Sequence, residues 1–400
     1  MYRPFVHAPL AHSCGRIPKA FVRCRSSRYD AVQKEGQRGS GFTEKGGRHM
    51  IQMGMIGCGS MSGSHCAALQ PLAARMRFSA FADIDLARAR EAAARFPGAV
   101  AVADYHALFD AVDAVVIAVP HDLHYRIGLD CLQAGKHVMM EKPLALTEAE
   151  CCALIAADRS PHPVLMLGYV MRHDPLWRRL GDYLREETFG TVFHVSVWTE
   201  QYTDTSRGAW LGEARRVGGG QLFSHGCHYI DLLLHWLGEP VCGTHIGTNL
   251  GTPWMEREGT SDVSLKFASG ATAYHFGTWG ARGSRLRYAV HAHCTEGMLE
   301  LDHAEGTITL HRSRSGGDLP ALSALAAPGE TLDNPALAVV YRRAGEGGKA
   351  VVQQMSAFLD CIEQERKPEI SASASLRSLR VIWKLYEAEE QMRVADLRGL

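Results

Sequence analysis

Two stretches of this 400-residue chain carry side chains that can take up and release protons. The first is a pair, Glu141 and Lys142, that follows a short apolar run. The second carries Ser224, His225 and His228, and three residues separate it from the glycine run at 218–220. Histidine and lysine serve as general acids and bases when their surroundings tune their proton affinity to the working pH. Each segment is therefore a candidate for a site at which protons are transferred.

A glycine-rich turn near the start of the apolar part of the chain predicts a nucleotide site. An apolar run over 51–56 leads into Gly57-Cys-Gly59, and a helical pattern follows. A strand, a glycine turn and a helix form the context of the dinucleotide fingerprint, in which Gly57 permits the tight turn and Gly59 admits a pyrophosphate. Ser60 and Met61 of this turn are candidate cofactor contacts, and the N-terminus of the helical pattern that begins at His65 would face that charge. Because glycine clusters also mark ordinary turns, this motif needs support from the next strand.

The next apolar run supplies that support. It ends at Asp83, 24 residues after Gly59. At this spacing a carboxylate accepts hydrogen bonds from the ribose hydroxyls of a bound dinucleotide. Its charge would repel a 2′-phosphate, so the sequence favours NAD as the cofactor over NADP. The alternative is that Asp83 caps the helix beginning near Leu86, a role for which Asp85 is the other candidate.

Strand and helix patterns then alternate, as in a sheet of parallel strands. One buried strand is predicted to end at Pro120, with His121 beside it, and another to end at Glu141 and Lys142. The carboxyl ends of parallel strands line the ligand crevice in sheets of this kind. All four residues are therefore expected to lie at the cofactor, with Pro120 and His121 at its rim.

From about Gln52 to Leu397 the sequence resembles the Gfo/Idh/MocA oxidoreductases. The resemblance rests on Gly57-Cys-Gly59 with His65, on GKHVMMEKP at 135–143, on GGGQLFSHGCHYID at 218–231 and on the tail 377–387. It implies an α/β fold class, with an N-terminal Rossmann dinucleotide-binding domain plus a C-terminal α/β domain with a large open-faced, mainly antiparallel sheet. In relatives the exposed face of that sheet makes the subunit contact, so a homodimer or homotetramer is expected.

The resemblance also assigns individual roles. His228 stands at the position of the family's active-site histidine. The position four residues earlier is often aspartate in the family and is Ser224 here, so the hydrogen-bond partner of His228 is left open. This departure argues against an ordinary inositol dehydrogenase. His225 is a further candidate partner, provided that the helix orientation brings both imidazoles into one pocket.

The second half of the chain shows a different pattern. Short alternating runs between 241 and 311, separated by turn residues, predict an antiparallel sheet. A mobile loop is expected over 313–335, followed by two helices over about 349–364 and 373–390. The domain prediction is therefore a disordered extension at 1–49, an NAD(P)-binding Rossmann domain at 50–172, and a substrate-binding and oligomerisation domain at 173–400.

These residues and the resemblance together imply an NAD-dependent oxidoreductase that transfers a hydride between nicotinamide and a secondary alcohol of a sugar, inositol or related polyol. Lys142 and His228 are the catalytic candidates, and either can take the hydroxyl proton. Glu141 is expected to bind the nicotinamide ribose or to tune Lys142. The candidates for substrate binding besides His228 are Arg172, Trp210, Ser224 and His225, with Tyr169 as a further contact.

Other interpretations stay open. One is an NAD-assisted glycoside hydrolase of the same fold, which oxidises its sugar only transiently. Another is a non-catalytic, nucleotide-sensing regulator, against which the presence of Lys142 and His228 argues. His225, His228 and Asp231 follow at intervals of three residues and could gather a metal, but no other ligand has complementary spacing, so no metal is predicted. A structural role for His228 in the core is the remaining alternative.

Composition and charge exclude several classes of protein. Hydrophobic residues make up 46% of the chain, and 43 basic residues balance 43 acidic ones. Ten basic and three acidic residues precede Met50, so the remainder is acidic, which argues against nucleic-acid binding. No apolar run reaches the roughly 18 residues of a membrane span. The 11 cysteines show no metal or disulfide spacing, which predicts a cytoplasmic protein, although residues 1–49 could instead be an organellar presequence.

Overall fold

The computed structural model describes residues 50–67, 70–203, 209–312, 337–344 and 350–400. The extension expected at 1–49 and the loop expected at 313–335 lie outside these residues. The described chain contains two sheets, and its helices pack against both of them. None of the described helices combines the length and the apolar composition that crossing a bilayer requires.

The first sheet has six parallel strands, as the alternating apolar runs predict. Its strands are β1 Ile51–Ile56, β2 Met76–Ala82, β3 Val100–Val102, β4 Ala114–Ile117, β5 His137–Met140 and β6 Leu165–Leu167. The helices of this half are α1 Ser60–Ala67, α2 Leu86–Ala93, α3 His124–Gln133 and α4 Glu148–Ala157. The strand order β3-β2-β1-β4-β5-β6 is that of a Rossmann fold, in which the chain reverses direction across the sheet between β1 and β4. This reversal opens a crevice at the carboxyl ends of the strands.

Local signals in the sequence set the ends of these helices. The Asp85 side chain accepts a hydrogen bond from the Ala87 amide at the start of α2. Thr147 and Glu150 form a reciprocal capping box at the start of α4. Gly135, with φ of +72°, follows α3 in the left-handed conformation that glycine adopts without strain. The cap that the sequence offers at Asp85 is therefore confirmed.

The second sheet has nine strands, and all neighbouring pairs except β7 and β10 are antiparallel. Its strands are β7 Val192–Glu200, β8 Pro240–Thr248, β9 Thr260–Phe267, β10 Thr272–Thr278, β11 Tyr288–Cys294, β12 Gly297–Asp302, β13 Thr307–His311, β14 Leu337–Arg342 and β15 Ala395–Asp396. The helices are α5 Pro175–Arg185, α6 Ala214–Val217, α7 Cys227–Leu237, α8 Val351–Glu363 and α9 Ala372–Glu390. The predicted fold class, a Rossmann domain with a second, mainly antiparallel sheet, is confirmed.

One face of this second sheet is covered and the other is open. In β9 the side chains of Val263, Leu265 and Phe267 are buried in the core, whereas the residues between them are exposed. Ile246 on the neighbouring strand β8 is 71% exposed. Strict alternation of this kind is the mark of a sheet that packs against helices on one side only.

Helix α8 returns to the first sheet although it lies near the end of the chain. Met355, Phe358 and Leu359 of α8 join the same core cluster as Met53 and Met55 of β1. The boundary expected between residues 172 and 173 assigns α8 to the C-terminal domain. Its apolar face nevertheless packs against the sheet of the N-terminal domain. The division into domains stays a prediction.

A charged cluster fixes α8 in this position. The Arg75 guanidinium, on a side chain that is 16% exposed, donates to Glu363 at 3.0 Å and to Asp360 at 2.7 Å. It also donates to the Ser356 hydroxyl at 3.0 Å. Hydrogen bonds between ionised partners at a partly buried site are the stronger ones, so this cluster contributes more than a surface ion pair does.

Replacing Arg75 is therefore expected to weaken the fold. Arg75→Met should lower the free energy of unfolding by about 2 kcal/mol, because two carboxylates lose their hydrogen bonds to the guanidinium. Arg95→Met is the control, since Arg95 is 61% exposed and its pair with Glu91 lies at the surface. That variant should change stability by less than about 0.5 kcal/mol in urea unfolding. Equal losses for the two variants would contradict the anchoring role of Arg75.

Candidate active site

The glycine turn leaves open space at the carboxyl end of β1. Gly57 has a φ of +91°, and a Cβ there would lie 2.3 Å from the Ala118 carbonyl oxygen, so no larger residue fits. A Cβ at Gly59 would instead meet no atom within 4 Å. Ser60 and Met61 then begin α1. At the third position of the motif, the Ser62 hydroxyl donates to the Gly59 carbonyl at 2.6 Å. The turn thus presents backbone amides and a helix start to the crevice, which fits a pyrophosphate.

Asp83 lies beside this turn. Its Oδ2 accepts a hydrogen bond from the Cys58 amide at 2.8 Å, and its Oδ1 accepts one from the Asp85 amide at 2.9 Å. The residue that caps α2 is Asp85, so Asp83 is not the cap of that helix. The carboxylate is held at the glycine turn, where the ribose of a dinucleotide would extend. This position fits the cofactor, and the ribose contact itself stays a prediction.

Glu141 follows β5 and is paired with a histidine of the first helix. His65 Nε2 lies 2.7 Å from Glu141 Oε1, and both side chains are almost completely enclosed. Burial by itself would raise the pKa of Glu141. The hydrogen bond from His65, with the positive charges around the carboxylate, outweighs burial and lowers that pKa below its ordinary value. Glu141 is therefore a carboxylate at neutral pH.

Lys142 reaches from the first sheet into the segment that carries His228. Its Nζ donates a hydrogen bond of 2.7 Å to the main-chain carbonyl oxygen of Ser224. Residues Leu222–Gly226 form a π-helical turn that leads directly into α7. Turns of this kind are frequent at functional sites, because the extra residue redirects carbonyl groups away from the regular helix ladder. The two proton-transfer segments predicted from the sequence are thus joined at this bond.

The three glycines before the π-turn allow two buried polar side chains to approach it. A Cβ at Gly219 would lie 2.8 Å from the Tyr386 hydroxyl, and one at Gly220 would lie 2.3 Å from the Glu258 carboxyl group. Tyr386 donates to Glu258 at 2.6 Å, and the same hydroxyl accepts from the Gly220 and Phe223 amides. Burial raises the pKa of Glu258, against the effect of the Tyr386 hydrogen bond. The glycine run therefore serves close packing beneath the site.

His228 is buried in the first turn of α7. The edge of its ring faces the Tyr169 ring, with centroids 5.6 Å apart at 89°, and the His225 ring lies 6.1 Å away. The His225 ring lies beside the aromatic rings of Tyr288 and Trp279 at the end of the second sheet. The two imidazoles thus lie near one another, and the Tyr229 ring lies beside both of them.

Arg172 and Asp231 form an ion pair one turn further along α7. Arg172 Nε donates to Asp231 Oδ2 at 2.7 Å, and both side chains are buried. Asp231 therefore faces a guanidinium, which competes with any bound cation. Within the described ranges no three histidine, cysteine or acidic side chains are grouped as metal ligands. The predicted contact between Arg172 and substrate stays a prediction.

The rim of the crevice is formed where β4 ends. Pro120 precedes a short turn that begins at His121, whose Nδ1 lies 2.9 Å from the Val217 carbonyl oxygen. Burial, followed by the nearby His124 and Lys142, holds the pKa of His121 well below its ordinary value. Because a carbonyl only accepts, Nδ1 carries the proton of this neutral ring. Trp210 lies against His121 with ring centroids 4.9 Å apart, so the first sheet and the second half of the chain meet here.

Comparison with known proteins agrees with this geometry. The model of an oxidoreductase family with an NAD-binding Rossmann fold, GFO_IDH_MocA, matches residues 51–169. The GFO/IDH/MocA C-terminal domain matches residues 177–300. The chain belongs to the GFO/IDH/MocA family. The NAD cofactor expected from the sequence is thereby confirmed.

Individual members of the GFO/IDH/MocA family are similar over parts of their length. Inositol 2-dehydrogenase 2 of Saccharopolyspora erythraea is 38% identical over 128 residues, which cover 31% of this chain and 38% of that protein. 1,5-anhydro-D-fructose reductase of Ensifer adhaerens is 28% identical over 218 residues, 52% of this chain and 64% of that protein. The match thus spans less than two thirds of either relative.

A solved structure shows the same fold over a longer range. Levoglucosan dehydrogenase in complex with NADH superposes with a TM-score of 0.75 at 20% identity. The superposition covers 88% of this chain and all of the other. At this level of identity the similarity establishes the shared architecture of the GFO/IDH/MocA fold.

Several residues of this GFO/IDH/MocA site carry no prediction from the sequence. His65 entered only as part of the resemblance, and Glu258 and Tyr386 received no role. His124 also received no role; it is buried, and its Nδ1 lies 2.7 Å from the carbonyl oxygen of Pro143, the residue after Lys142. The periodicity of α3 places His124 on the same face as the buried Ile127, and that signal would have shown it to be internal.

The Tyr386 hydroxyl is expected to matter for both folding and activity. Tyr386→Phe should lower the free energy of unfolding by about 1–3 kcal/mol, because Glu258 and two amides lose a partner in the interior. It should also lower kcat, since the π-turn presents the carbonyl that holds Lys142. Tyr183→Phe, which removes a hydroxyl bonded to the Val340 carbonyl, is the control and should affect stability alone. An unchanged kcat in Tyr386→Phe would contradict the support of the π-turn.

Proposed function

We propose that the protein transfers a hydride between NAD and a secondary alcohol of a sugar, inositol or related polyol. The observation that carries this proposal is the 2.7 Å hydrogen bond from Lys142 Nζ to the Ser224 carbonyl. It holds a proton donor and acceptor at the carboxyl end of a Rossmann strand, where the working half of the dinucleotide lies. The relatives named as an inositol dehydrogenase and an anhydrofructose reductase support the same class of substrate.

In this mechanism the residues of the chain bind the alcohol and move its proton. Bound NAD supplies the hydride acceptor when the alcohol is oxidised. Lys142 has three N–H donors as an ammonium group, and the Ser224 carbonyl occupies one direction. The remaining positions can bind the substrate hydroxyl and, after deprotonation, accept its proton. In the reverse direction Lys142 returns the proton to the carbonyl oxygen.

His228 provides the second proton-transfer group in the proposal. Its imidazole binds the same hydroxyl or accepts the proton that Lys142 relays. The Tyr169 ring against its edge restricts the orientation of the imidazole. The ion pair of Arg172 and Asp231 lies one turn further along, so Asp231 is held in place by a buried guanidinium. The other proposed substrate contacts are Arg172, Trp210, Ser224 and His225, and the planar rings of Trp210 and His225 are suited to a sugar.

Asp83 is proposed to select NAD through its charge. Asp83→Ala should weaken NAD binding tenfold or more while changing NADP binding little, because removing the carboxylate removes both a ribose acceptor and a repulsion of the 2′-phosphate. Titration of nicotinamide fluorescence with NADH and NADPH measures both affinities. Asp85→Ala is the control, since that side chain caps α2. Equal losses of affinity for the two cofactors in Asp83→Ala would contradict the assignment.

Lys142 is proposed to be required for turnover. In a panel of polyols and sugars with NAD⁺, the unmodified protein should form NADH with at least one alcohol. Lys142→Met should lower kcat by about 10²–10⁴-fold, the range that a general acid or base contributes. Lys136→Met is a matched control. Lys136 directly precedes β5, the strand that Lys142 follows, and its Nζ also donates to a main-chain carbonyl, that of Val112.

The same panel separates the other candidate functions. Release of a leaving group without accumulation of NADH would favour NAD-assisted glycoside hydrolysis. Tight NADH binding without turnover of any alcohol would favour a nucleotide-sensing regulator. Full activity of Lys142→Met would contradict the proposed mechanism.

We also propose that the protein works as a homodimer or homotetramer in the cytoplasm. The open face of the second sheet supports the first part, because it presents half-buried Trp198, Tyr274 and Phe276 on adjacent strands. Apolar side chains exposed together on a sheet favour a protein partner. All nine cysteines of the described residues are thiols, which supports a reducing compartment.

A further inference from the structure

We propose that His65 is a positioning residue that fixes the Glu141 carboxylate beside Lys142 and couples it to the helix of the cofactor turn. This inference rests on the proposed function. It concerns a side chain that lies in the last turn of α1, away from the backbone amides expected to hold the pyrophosphate. His65 therefore acts through Glu141 and not by contact with the reacting atoms.

The contact joins segments that are distant in the sequence. His65 and Glu141 are 76 residues apart, and Nε2 and Oε1 lie at 2.7 Å. The His65 side chain is 1% exposed, whereas 11% of the Glu141 side chain remains accessible. A helix that begins at the glycine turn is thus bound directly to the residue that precedes Lys142. Displacement of α1 would displace Glu141 with it.

The chemistry of the two groups sets the direction of the hydrogen bond. A carboxylate only accepts, so His65 Nε2 must carry the proton. His65 Nδ1 is buried and has no hydrogen-bond partner among the described residues. The imidazole therefore has one anchoring bond, and that bond is to Glu141. A histidine used only to fill space would not need to be aimed at the carboxylate next to a catalytic lysine.

Packing on the opposite side leaves the carboxylate little freedom. A Cβ at Gly168 would lie 3.1 Å from Glu141 Oε2 and 3.1 Å from Glu141 Cα. The Gly168 amide donates to the Met140 carbonyl at 2.7 Å, which holds the two strand ends together. Glu141 is therefore enclosed between His65 and the backbone at Gly168, and one oxygen is fixed by hydrogen bonding.

The charges around Glu141 give the pair a measurable signature. The groups that act on its carboxylate are His65 from α1, His124 from α3 and Lys142 from the same segment. Burial raises the pKa of Glu141, and the His65 hydrogen bond is the largest influence that lowers it. Without His65 this pKa rises, so protonation occurs at a higher pH as the solution is acidified. Functions that need the carboxylate are then lost at a higher pH.

The experiment compares His65→Leu and His65→Gln with the unmodified protein. In His65→Leu the acid limb of kcat should move to higher pH, and kcat at its maximum should fall about ten- to hundredfold. The pH at which NADH binding is half lost, measured by nicotinamide fluorescence without substrate, should move in the same direction. His65→Gln keeps an N–H donor for the carboxylate and should restore most of kcat.

A control isolates the structural effect of losing a buried histidine. His137, the first residue of the strand that Glu141 follows, accepts a hydrogen bond from the Val164 amide at 3.0 Å. His137→Leu should lower the melting temperature and leave both pH profiles in place. If His65→Leu lowers only the melting temperature and moves neither profile, the positioning role is wrong.

The two proposals fail in distinguishable ways. If the unmodified protein oxidises no alcohol, the proposed function fails, and the NADH-binding profile still tests His65. If the protein oxidises polyols but the profiles of His65→Leu coincide with those of the unmodified protein, the proposed function stands and the role of His65 is overturned.

Discussion

The hydrogen bond between Lys142 Nζ and the Ser224 carbonyl is the contact on which the rest of the site depends. It joins the end of a parallel strand to a turn that packs on the second sheet. A long, flexible side chain loses considerable conformational entropy when it is fixed, so it needs a partner that is itself immobile. The surrounding structure supplies that immobility.

From the side of the second sheet, polar groups enclosed in the core hold the π-turn. Glu258 and Tyr386 bind its amides, and glycines at 219 and 220 allow both side chains to come close. Unsatisfied polar groups in an interior cost more than satisfied ones contribute. The arrangement is therefore specific, because moving any one member would leave several buried groups without partners.

The sequence predicts the strands that deliver the site better than the contacts that complete it. Strands β1 and β5 are apolar runs that end at glycine or at charged residues, so their ends are marked locally. Strands β3 and β6 have only three residues each, too few for any periodicity to be visible. The chain over 221–236 reads as one regular helix, whereas the π-turn at its start coincides with tertiary contacts to Glu258. The contact between His65 and Glu141 likewise forms only in the folded chain, because 76 positions separate the two residues.

The return of α8 to the first sheet has a consequence for how the protein is made. Synthesis proceeds from the N-terminus, and the last strand of the first sheet, β6, ends at residue 167, so all six strands are made early. The core cluster that contains Met53 and Met55 is complete only after Phe358 has been synthesised, some three hundred residues later. During that interval the nascent chain exposes the apolar surface that α8 later covers. Chaperone demand should therefore persist until translation is nearly finished.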